Sequence, residues 1–309
     1  MSPRPWYGAV ALGILIGWAV PAGAAEQQQE SPQLIQGLPE LAAMPAADSS
    51  LQADQRPAPN SLVSRWGRRG WLGDLRKDTW HLMTTPARVG RDDLGPALLL
   101  AGVVTGSFML DRTLERFVQR HDELEKFGSY FEPFGDRILP SAIMGATYLS
   151  GAALQNDRLK ETGFMMAESF VITGATVTAL KRLSGRSRPL FDRGPWDFAG
   201  PHLERNGEHQ SFVSGHTAVA FTLAGVISGE YQEHPLVGAG AYTVASLVGL
   251  HRVASQHHWF SDVVVAGLVG NWVGRTVVRL HQKRSEQTAV SFWYEPSSEA
   301  VGLRYTRRF

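Results

Sequence analysis

The 309-residue chain contains no cysteine. Disulfides and thiolate metal centres are therefore excluded. Nor is there an excess of either charge: 30 Lys and Arg stand against 29 Asp and Glu, for a net charge of +1. So balanced a chain gives no reason to expect nucleic acid or a strongly acidic partner. Period-two alternation is missing until the C-terminal end, and no internal repeat occurs, so neither a sheet core nor a repeat architecture is expected.

What is present begins with a leader pattern. "MSPRP" carries one Arg, "WYGAVALGILIGWAV" is apolar, and "PAGAA" ends in small residues before "EQQQE". This is the layout of a secretory signal peptide over residues 1–25, with cleavage near Ala24 or Ala25. No Cys follows that point, so a lipoprotein is excluded. Residues 26–60, rich in Gln, Pro, Ala and Ser, read as a disordered linker. Residues 61–284 form the expected helical domain. Residues 285–309 are a tail in which "AVSFWYEP" and "EAVGLRYTRRF" flank "SSE" as a possible small β-hairpin.

Six apolar segments rich in Ala, Gly, Val and Leu lie within the domain, at 94–110, 138–154, 162–180, 215–228, 235–250 and 263–273. They predict an all-α fold, a bundle of about six core helices. Each run is shorter than the roughly 20 apolar residues of a membrane span. The third contains Glu168, and mean hydropathy is −0.15. These points favour an exported periplasmic bundle lying on a membrane surface. The competing placement is an integral membrane protein with an outward-facing site, suited by the basic end Arg275, Arg279, Lys283 and Arg284.

Chemistry concentrates in three stretches. "KRLSGRSRP" holds Lys181 and Arg188, "SFVSGHT" holds Ser214, Gly215 and His216, and "HRVASQHHWFSD" holds Arg252, His258 and Asp262. Taken singly, each has a bland reading: a solvated helix end, an N-cap, a structural His–carboxylate pair. Together they sit at helix ends that one pole of an up-down bundle can gather. Lys181, Arg188 and Arg252 converging on one spot call for an anion, and phosphate matches the Arg fork. Ser214 and the N–H groups of Gly215 and His216 add donors at a helix N-terminus. His258 is then placed to attack phosphorus through Nε2, with Asp262 accepting the Nδ1 proton. His216 protonates the leaving oxygen and later activates water, so the reaction runs through a phosphohistidine. A metal is not expected, because cations do not surround a cation site; no cofactor is expected either. His209, His251 and His257 read as rim or structural residues.

The order Lys-x6-Arg-Pro, Ser-Gly-His, Arg-x5-His-x3-Asp resembles the type 2 phosphatidic acid phosphatase superfamily, which includes bacterial acid phosphatases and vanadium-dependent haloperoxidases. The resemblance implies a metal-independent hydrolase of phosphomonoesters or diphosphates, acting on a lipid phosphate or a small soluble ester. By the same resemblance His258 is the nucleophile, Asp262 its orienter and His216 the general acid. Lys181, Arg188, Ser214, Gly215 and Arg252 are the phosphate ligands. Two positions depart from the pattern: Val213 stands where the family has Pro, and His251 where it has Ser. Two other outcomes keep the same cup, a vanadate-loaded haloperoxidase and a silent phosphate-binding protein. Trp196, Phe198 and Leu203 are expected to wall a lipophilic pocket.

Overall fold

The computed structural model describes residues 71–88, 90–201, 207–286, 288–295 and 300–307. The expected leader and linker lie outside the described residues. Among the described residues eight α-helices follow in order: α1 Trp71–Thr84, α2 Leu94–Val118, α3 Asp122–Ser129, α4 Ile138–Ala153, α5 Asp157–Ser184, α6 Gly215–Glu230, α7 Pro235–Ala254 and α8 Phe260–Glu286. Strands β1 Thr288–Glu295 and β2 Ala300–Arg307 then pair antiparallel, from Thr288 opposite Arg307 to Glu295 opposite Ala300. The protein is all-α in its core, with the hairpin appended.

Local chemistry sets the helix ends that matter. Asn156 caps α5 by accepting the Leu159 N–H. Gly185 ends that helix in the left-handed region, at φ 58°, a conformation that costs glycine nothing. Ser214 caps α6, its Oγ accepting from the Thr217 hydroxyl at 2.9 Å. Pro235 opens α7, where its missing N–H is not needed.

α6 packs along α8 at the centre of the bundle. Gly270 and Gly274 make that approach possible: a Cβ at either would fall 2.2 Å from the Ala218 carbonyl oxygen or 2.4 Å from that of Thr222. Met165, Met166, Ile172, Val226, Val273 and Val277 fill the main core. The chain runs up and down through α2, α4, α5, α6, α7 and α8. The ends of α5 and α7 and the starts of α6 and α8 therefore share one pole. Buried contacts confirm it: Asp111, near the end of α2, reaches Ser261 at the start of α8.

The length argument against spanning helices does not hold. Among the described residues, four helices are long and apolar enough to cross a membrane: α2, α5, α7 and α8 through Arg284. The apolar runs counted in the sequence are only parts of helices of 20–28 residues. Leu98, Met109, Ile138, Leu149 and Leu236 also point outward, Leu236 with 85% of its surface exposed. Large apolar side chains exposed on several helices suit a lipid-facing exterior. The protein associates with the membrane.

Candidate active site

The three stretches meet at the pole just described. Lys181 lies in the last turn of α5 and donates to the Gln210 carbonyl at 2.5 Å. Arg188 follows in extended backbone, its N–H donating to the Glu208 carbonyl. Ser214, Gly215 and His216 form the start of α6. Arg252 sits in the last turn of α7, and its carbonyl accepts the His258 N–H. The guanidinium nitrogens Nε of Arg188 and Arg252 are buried and have no hydrogen-bond partner. Among the described residues Arg188 makes no ion pair. Buried donors on cations are costly to leave unmet. Two of them in one cup, beside Lys181 and a helix N-terminus, suit a tetrahedral oxyanion.

His258 does not lie on α8, which begins at Phe260. The expectation that Asp262, four residues on, takes its Nδ1 proton rested on a shared helical face, and it fails. His258 Nδ1 is 2.7 Å from the Ser211 carbonyl and 3.8 Å from Asp262 Oδ2. That carbonyl accepts only, so Nδ1 carries the proton and Nε2 is left with its lone pair. Asp262 is occupied elsewhere. It accepts from Arg186 at 2.6 Å, the Ser211 hydroxyl at 2.5 Å and the Trp259 N–H at 3.0 Å. Asp262 therefore holds the loop that aims His258, through Ser211, rather than the imidazole itself. Burial, then Lys181, Arg252 and Arg188, push the His258 imidazole well below its ordinary range. Burial also lowers Arg188. His258 is neutral at neutral pH, as a nucleophile must be.

His216 is half-buried in the first turn of α6. The charges acting on it are those of Arg252, Glu132, Asp136 and Lys181. Gly135 lies flat against it: a Cβ there would come 2.7 Å from the His216 Cβ and 2.8 Å from its carbonyl oxygen.

Three contributors escaped the sequence reading. Arg186 is fully buried and joins Asp262 to Asp111, donating to each at 2.6 Å. Ser211 links Asp262 to the His258 contact. Glu132, in the 3-10 turn Glu132–Phe134, accepts from Arg252 at 2.8 Å. Arg186 stands two residues before the expected Arg188, but its partners are 75 and 76 positions away, and no local pattern shows them. His251 is buried with its Nε2 3.4 Å from Glu132; His257 contacts the Ser255 carbonyl and His209 the Ser187 hydroxyl. Trp196 and Phe198 are exposed, Trp196 stacking on Phe108. Leu203 lies outside the described residues.

Among the described residues, Asp78, Glu168 and His281 could together hold a cation. His281 is roughly 28 Å along α8 from Asp262. Arg284 already forks both Asp78 oxygens at 2.6 Å, so the group is filled from within rather than open to a metal.

A membrane-associated helical bundle whose helix ends build an oxyanion cup with two imidazoles is the class that fold and site define. Residues 162–286 match the model of the PAP2 superfamily. A lipid A 1-phosphatase of Porphyromonas gingivalis is 43% identical over 65 residues, which are 21% of this chain and 15% of that relative's length. Among solved structures, LpxE of Aquifex aeolicus aligns with a TM-score of 0.43 at 24% identity, over 55% of this chain and 95% of that one. A PAP2-type phosphatidylglycerolphosphate phosphatase from Bacillus subtilis aligns with a TM-score of 0.31 at 19% identity, over 58% and 96%.

Proposed function

We propose that the protein is a phosphoric ester hydrolase acting on a lipid phosphate, without a metal, through a phosphohistidine on His258. The observation that carries this reading is the pair of unpartnered buried Nε–H groups of Arg188 and Arg252, placed beside a neutral His258. His258 Nε2 attacks phosphorus and the bond to the ester oxygen breaks, while His216 gives that oxygen a proton. Water then attacks the phosphohistidine, losing its proton to His216, and inorganic phosphate leaves. Lys181, Arg188, Arg252 and the Ser214–Gly215–His216 helix start bind the phosphoryl oxygens and offset the developing charge. Asp262, Ser211 and Arg186 position the nucleophile. The lipid character of the substrate is supported by the apolar outer helices and by the name of the Porphyromonas gingivalis relative.

The cup opens at the pole opposite Arg275, Arg279, Lys283 and Arg284 on α8. A basic helix end prefers the inner side of a membrane, which favours an outward-facing site in an integral protein. Phosphate release from phosphatidate, a lipid A phosphate, a prenyl diphosphate and p-nitrophenyl phosphate, each with and without EDTA, tests the reading. The expected result is release from lipid phosphates, unchanged by EDTA, and release from impermeant p-nitrophenyl phosphate by intact cells. No release from any of the four, or release abolished by EDTA, contradicts it.

A further inference from the structure

The segment from Gly128 to Asp136 carries none of the three motifs, yet it walls the cup. A Cβ at Gly128 would lie 2.8 Å from the His251 Cβ, and one at Gly135 would lie 2.7 Å from the His216 Cβ. Between those two contacts Glu132 is fixed by two consecutive residues of α7. One carboxylate oxygen accepts from Arg252 at 2.8 Å and the other lies 3.4 Å from His251 Nε2. Its side chain is still 43% exposed. Asp136, half-buried and next in the chain to the Gly135 that packs on His216, adds a second negative charge on that side.

We infer that Glu132 and Asp136 are specificity-determining residues, and that they make the site take phosphomonoesters of hydroxyl- or amine-bearing alcohols in preference to diphosphates. The inference rests on the phosphatase reading, in which the leaving oxygen departs beside His216. A leaving group on that side meets two carboxylates. Hydroxyl or ammonium groups give them hydrogen bonds, whereas a second phosphoryl group brings like charge against them. Glu132 does not block the cup. Arg252 donates to it through one terminal nitrogen and keeps Nε free for the phosphoryl oxygens. His251, which stands where the family has Ser, lies 3.4 Å from the second Glu132 oxygen, so the departure and the carboxylate belong to one arrangement.

Glu132→Gln keeps the side chain's length and its acceptor for Arg252 while removing the charge; Asp136→Asn does the same at the second position. Calorimetric titration of the full chain in detergent with inorganic phosphate and with pyrophosphate needs no turnover. Each variant should shift the ratio of the two affinities toward pyrophosphate by about tenfold. The hydrolysis of diphosphates relative to monoesters should rise with it. A ratio unchanged in both variants overturns the inference, as does an equal weakening of both anions, which would make Glu132 an anchor for Arg252 only. Wild-type protein that releases phosphate while the ratio stays fixed overturns this inference alone. Wild-type protein that binds neither anion overturns the phosphatase reading with it.

Discussion

His258→Ala should lower phosphate release from the best substrate by at least about 10⁴-fold while leaving inorganic phosphate bound. Both halves follow from the same geometry. The imidazole is buried with Nδ1 turned to the Ser211 carbonyl, so Nε2 is the atom it can offer to phosphorus. Lys181, Arg188 and Arg252 supply the charge of the cup, and a neutral His258 adds none. Losing it removes a covalent step and no counter-ion. A steady-state rate assay paired with calorimetric titration of phosphate separates the two effects. A variant retaining a tenth of the rate would remove the nucleophile; one that lost phosphate binding as well would place His258 among the ligands.

Arg186→Ala should be as damaging, by a different route. Arg186 has none of its surface exposed. It donates to Asp262 and Ser261 through one terminal nitrogen, to Asp111 and the Pro195 carbonyl through the other, and to Pro195 again through Nε. Removing it strands Asp111 and Asp262 in the interior. Breaking a buried ion pair by deleting one partner costs about 3–5 kcal/mol. The midpoint of thermal unfolding should fall by roughly 10 °C. Activity should fall further than the loss of folded protein explains, because Asp262 holds the Ser211 hydroxyl and so the His258 contact. Arg186→Lys should rescue little, since an ammonium cannot fork to two carboxylates and a carbonyl. A variant with wild-type melting and wild-type turnover would show that the network does not position the nucleophile.

How much of this the sequence reveals depends on the range of the interaction. Helix ends carry local signals: Ser214 as a cap, Gly185 after α5, Pro235 opening α7. These are why the pole where the motifs meet could be foreseen. The cations Lys181, Arg188 and Arg252 gain meaning from their order along the chain, which also carries the family resemblance. Long-range polar links leave no such trace. Asp111 is 75 positions from Arg186 and 150 from Ser261, and nothing around it in α2 marks it as buried. Glu132 lies 120 positions from Arg252, outside all three motifs. The contact of Asp262 was misassigned for a related reason. Four-residue spacing implies a shared face only inside a helix, and α8 starts two residues after His258. Helix length is not legible either, because an apolar run is shorter than the helix that contains it. Lys181 and Arg182 close α5 without interrupting it, and Arg252 likewise sits within α7.

The central claim is that His258 takes the phosphoryl group. Rapid quenching of the full-length protein with a ³²P-labelled substrate, followed by peptide mapping, tests it most directly. The account predicts a label that survives alkali, is lost in acid and maps to His258. A label on any other residue, or turnover by the unaltered protein with no labelled enzyme at any quench time, would contradict it.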